Sequence, residues 1–191
     1  MRKIYSLFMV LSLASCGSTK NTTIVTLDKF VIENLIRFNS EKIKEKYPDA
    51  NIYEAIGFFE EGTEELPYSV LYPDTPNELN ITWADASRTQ IYDIQFSIGG
   101  DWKSSTGIRI GTTYAELNEL NGKPISFYGF GWDYSGAVVW NEGEFEKSKL
   151  RVFLSPEKEP NSKFYDDHII KASPEEIADM NLRVGSIVYK L

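Results

Sequence analysis

Short apolar runs, broken at close intervals by Gly, Pro, Asn and Asp, constrain this chain more than any other feature. Four strands are expected in the first half, at Asn51–Phe58, Tyr68–Tyr72, Glu78–Trp83 and Ile91–Ile98. Four more are expected at Ile125–Trp132, Ala137–Trp140, Lys149–Leu154 and Ser186–Lys190. A short helix precedes each set. The clearer one is Thr112 to Gly122, where a hydroxyl caps the start and Glu116 sits in the first turn. Leu117 and Leu120 share a face, and Gly122 and Pro124 stop the helix. Helix followed by antiparallel meander is an α+β arrangement, with short helices packed on antiparallel sheet.

The earlier helix lies over Glu41–Tyr47. Ile36 and Ser40 stand 72 positions before Ile108 and Thr112, and Ile43 aligns with Leu117 after a two-residue slip. The body then reads as two tandem helix-then-meander repeats. The alternative is a common helix-to-strand transition used twice. Within Thr26–Phe38 a strand is expected at the C-terminal end only, and Ile108–Gly111 should be extended. Pro156–Leu182 is an insertion before the last strand. In it Ser173, Pro174 and Glu176 form a helix start with a capping box, and Pro156–Asn161 should be an exposed loop.

The N-terminus speaks to location. Met1-Arg2-Lys3 is a basic start, and Ile4–Leu13 is an apolar run too short to span a bilayer permanently. Ala14, Ser15 and Cys16 follow, and Cys16 is the sole cysteine. Leu13-Ala14-Ser15-Cys16 resembles the lipobox of bacterial lipoproteins. The resemblance implies a signal peptide at 1–15, an acylated Cys16, and a flexible tether at 16–27. Because one acyl chain anchors only marginally, two or more are expected. Gly17 in place of an aspartate implies the outer membrane, with the periplasmic face favoured over surface display. The remainder divides into halves at 28–100 and 101–191.

Gly111-Thr112-Thr113…Leu117…Leu120-Asn121-Gly122-Lys123-Pro124 is similar to the entry helix of small outer-membrane-assembly lipoproteins and of the β-lactamase-inhibitory-protein fold. That resemblance implies a helix packed on antiparallel sheet and a protein partner. The chain departs from the inhibitory proteins in having no cysteine pair for a disulfide in either half.

The densest candidate for chemistry is Phe127-Tyr128-Gly129-Phe130-Gly131-Trp132-Asp133-Tyr134, turning at Ser135-Gly136 and returning to Trp140. On a continuous strand Tyr128, Phe130, Trp132 and Tyr134 would share one face. With Trp140 they form the candidate binding surface, Trp132 and Tyr134 foremost because they flank the turn. Rings with a polar edge suit a protein interface or a sugar platform; the other reading makes them core. His168, the one histidine, stands in Tyr165-Asp166-Asp167-His168 without a nucleophile elbow or further imidazoles. A triad and a zinc centre are therefore not expected. Glu60–Glu65 is an acidic hairpin tip that fits no calcium loop. No phosphate-binding glycine loop is present, and no cofactor is expected.

Charge narrows the partners. Twenty-eight acids against 20 bases give −8, or −10 once Arg2 and Lys3 leave with the signal peptide, which argues against nucleic acid. The expected function is a membrane-anchored envelope lipoprotein, non-enzymatic, that binds another envelope protein. The alternative is a glycan-binding lipoprotein using the aromatic hairpin 127–140.

Overall fold

The computed structural model describes residues 28–59 and 63–191. The signal segment 1–15, Cys16, the tether to residue 27, and positions 60–62 of the acidic turn lie outside the described residues. Among the described residues, no helix is long and apolar enough to cross a membrane.

The first half runs α1 (Ser40–Lys46), β1 (Tyr53–Phe59), β2 (Glu64–Leu71), β3 (Leu79–Trp83) and β4 (Ile91–Phe96). The second runs α2 (Tyr114–Asn121), β5 (Ser126–Phe127), β6 (Val138–Val139), β7 (Leu150–Ser155), α3 (Pro174–Met180) and β8 (Arg183–Lys190). Six strands form one antiparallel sheet in the order β1-β2-β3-β4-β8-β7, and β5 and β6 form a separate pair. A single bridge from Ala137 to Phe153, with Leu154 N–H donating to the Gly136 carbonyl at 2.8 Å, lays that pair beside β7. The two meanders thus meet back to back at β4 and β8. The molecule is α+β.

Cross-strand pairs explain why one sheet face is dry. Leu71 opposes Leu79, Ile81 opposes Ile94, Phe96 opposes Ile187, and Ile187 opposes Val152; all are buried. Ile43 of α1 and Leu117 of α2 join the same core cluster. Each such side chain contributes roughly 1.5–3 kcal/mol through its burial. On the other face Tyr68, Val70, Asn80, Thr82 and Gln95 follow one another across β2, β3 and β4.

Capping chemistry sets the helices. Thr113 caps α2 in a capping box with Glu116, Gly122 closes it at φ +67°, and Leu117 is buried, whereas Leu120 is exposed. Ser173, Pro174 and Glu176 open α3 with the expected capping box. Asn39 caps α1, and the buried Ser40 hydroxyl donates to Glu54 on β1. The caps of α1 and α2 therefore stand 74 positions apart (113 − 39), the spacing that matched Ile43 to Leu117.

Two strand expectations fail for physical reasons. The expected strand near Phe38 is replaced by a single bridge at Val31 to Lys103, a 3₁₀ turn at Ile32–Asn34 and further turns. Ile32 and Leu35 both need burial, and three-residue spacing shares a face in a helical turn but not in a strand. The expected strand Ile125–Trp132 is ordered as strand only at Ser126–Phe127. The Pro156–Asn161 loop is exposed at Glu157, Lys158, Glu159 and Asn161, whereas Pro156 is half-buried and Pro160 is buried.

Candidate functional site at an aromatic corner

After β5 the chain leaves the sheet. Tyr128 makes an isolated bridge to Ile169, and its N–H reaches the Ala137 carbonyl at 2.9 Å. Gly129 comes next, and a Cβ there would stand 2.3 Å from the Asp166 carbonyl oxygen. The bare backbone lets the 164–168 loop lie directly on it. Gly129 N–H donates to the His168 carbonyl at 3.0 Å, and Phe130 N–H to the Phe164 carbonyl at 2.8 Å. Gly131 then turns with φ +84°, a conformation that side chains rarely adopt.

That turn breaks the strand alternation, so the five candidate surface residues divide. Phe130 swings inward against Phe127, ring centres 5.9 Å apart, and Trp140 packs edge-on against Phe145 at 5.2 Å. Both are buried. Their placement in a recognition surface is corrected here: they are core. Trp132 is 61% exposed and Tyr134 63% exposed. Tyr128 is half-buried and supports the Tyr134 ring at 5.9 Å.

The insertion supplies residues that strand periodicity could not find. Tyr165 and Ile169 are exposed, and the Tyr165 ring lies 3.2 Å from where a Gly131 Cβ would be. Phe164 and Ile170 on either side are buried and anchor the loop. The only sequence signal was the pair of glycines, which announce a close approach without saying by what.

On the same loop as Tyr165, His168 Nδ1 lies 3.0 Å from Asp166 Oδ1. The Asp167 backbone N–H, and after it the imidazole, hold the Asp166 carboxyl below its ordinary value. Asp166, Asp167 and His168 bring possible ligand atoms within 4.8 Å of one another. Among the described residues, the His168 side chain bonds a carboxylate and no hydroxyl. The arrangement offers ring faces and carboxylate acceptors on a rigid support.

A second exposed apolar region lies at the opposite sheet edge. Ile56 and Phe58 of β1 are 63% and 74% exposed. Glu54 on the same strand pairs with Lys44 at 2.7 Å and lies 3.8 Å from Arg88 Nε.

The fold and corner describe a helix-backed antiparallel α+β body with a preformed aromatic surface. No family model matches the chain, and no curated protein matches it. Among solved structures it is similar to the crystal structure of the uncharacterized protein yfeY from Escherichia coli. That match has 14% identity and a TM-score of 0.47, covering 78% of this chain and 88% of that one.

Proposed function

We propose that this chain is a lipid-anchored envelope protein, non-enzymatic, whose aromatic corner binds another envelope protein. The carrying observation is that Trp132, Tyr134 and Tyr165 are exposed on a backbone pinned by the Gly129 and Phe130 hydrogen bonds. Exposed aromatic rings already held in place lose little freedom on binding, which is what interface anchors need. The acidic body favours a partner with a basic rim.

The anchor rests on the lipobox. Feeding cells an alkyne fatty acid should label the wild-type chain and not Cys16→Ser; equal labelling would overturn the anchor. A photoreactive residue at Tyr134 in the full-length chain should capture one dominant envelope protein on irradiation. Absence of a crosslink there, together with binding of the body on a glycan array, would replace the protein-binding reading. The observation that favours that sugar-binding alternative is that the Asp166 and Asp167 carboxylates follow the exposed Tyr165 on the same loop.

A further inference from the structure

Natural sheets protect their edges with prolines, lysines, bulges or covering segments. β1 is an edge strand; among the described residues no backbone group outside β2 pairs with it, and one side chain, Arg88, donates to its Ala55 carbonyl at 3.1 Å. Its sequence, Tyr53-Glu54-Ala55-Ile56-Gly57-Phe58-Phe59, has no Pro and no Lys, and its pairing with β2 runs without a bulge. Tyr53, Ile56 and Phe58 are all more than half exposed. The strand's one charge, Glu54, is already engaged by Lys44, Ser40 and Arg88.

From this we infer that β1 is the docking edge for a second copy of the chain, pairing antiparallel with itself about a two-fold axis at Ile56. The strand's own pattern chooses the occupant and the register. Ile56 is the midpoint of β1, so centring there pairs all seven strand residues. Ile56 then meets Ile56, Ala55 meets Gly57, Glu54 meets Phe58, and Tyr53 meets Phe59 of the second copy. No carboxylate opposes another, so the like-charge penalty across strands is avoided. Gly57 lies under the Tyr68 ring, which also touches Tyr53 and Phe59 on that face. The helix side of the joined sheet would gather Ile56 and Phe58 of both copies into one apolar cluster, and the open side would gather Tyr53 and Phe59. Such an interface is isologous and closes at two.

Disulfide trapping in cells, with the full-length chain, tests this. The wild-type chain, whose one cysteine is Cys16, sets the background. Directly opposed strand residues fall within disulfide reach, so Ile56→Cys should give a linked dimer at about tenfold that background or more. Tyr53→Cys alone should stay at background, because position 53 faces position 59. Tyr53→Cys with Phe59→Cys should restore the linked dimer. Adding Ile56→Lys to that double variant should abolish it by opposing two ammonium groups. An Ile56→Cys chain that accumulates normally yet stays at background overturns the pairing. So does a control at the exposed Lys147, Lys147→Cys, that crosslinks as strongly as Ile56→Cys, which would signify mere collision. The inference stands independently of whether Cys16 carries lipid.

Discussion

Within a few residues of the aromatic corner, chemically similar rings have opposite duties. Trp132 and Tyr134 face solvent, whereas Phe130 and Trp140 fill the core. Replacing Trp132 by Ala in the chain that carries the photoreactive residue at Tyr134 should abolish the crosslink, and Trp132→Ala with Tyr134→Ala should change unfolding free energy by less than about 1 kcal/mol. Phe130→Ala or Trp140→Ala should each cost roughly 3–5 kcal/mol in chemical denaturation. Equal losses in both sets would mean that the exposed rings are structural. Gly129→Ala tests the support: its Cβ would collide with the Asp166 carbonyl. A cost of about 1–3 kcal/mol and loss of order at Tyr165, read by NMR, are expected. The sequence marked the aromatic segment and its glycines correctly as unusual. It could not separate surface from core, because that division depends on where Gly131 turns the chain and on a loop more than thirty residues downstream.

At the level of elements, β1 and α1 are joined through one carboxylate. Burial pushes the Glu54 carboxyl up, but Lys44, Ser40 and Arg88 outweigh it and hold the group below the ordinary 4.5. A lowered folded-state value means that this stabilisation is present above about pH 4.5 and is lost as pH falls through the folded-state value. Glu54→Gln should therefore destabilise by about 1.5–3 kcal/mol at pH 7, with the gap from wild type closing on acidification. A constant gap from pH 7 to pH 3 would show that the charge is not what matters. For α2, Thr113→Ala removes the capping hydroxyl and should cost about 1 kcal/mol, measurable in urea unfolding. The α3 capping box and the hydroxyl cap of α2 were legible in the sequence, because caps are local chemistry at fixed offsets. The tie from Ser40 to Glu54 was not, because its partner stands fourteen residues away on a strand.

Over the whole molecule, β8 lies between β4 and β7, so the last strand of the chain completes the sheet of both halves. Trp102, which follows the first meander, is buried against Phe30 and Tyr47 and donates from its indole to the Asn77 carbonyl at 2.8 Å. A fragment ending at residue 100 loses both supports and should show neither cooperative unfolding nor dispersed NMR signals. Self-association through β1 brings together two acidic bodies. Its dissociation constant, measured by sedimentation in detergent, should fall as salt screens their repulsion. The sequence by itself determined the α+β class, most strands and the capped helices. Each of these depends on neighbours within a few positions. Only tertiary structure decided that β4 meets β8, that the 162–170 loop completes the aromatic corner, and that Ile56 and Phe58 stand uncovered. Those outcomes are set by contacts between segments far apart in the chain, and no local periodicity encodes which distant backbone comes to lie against them.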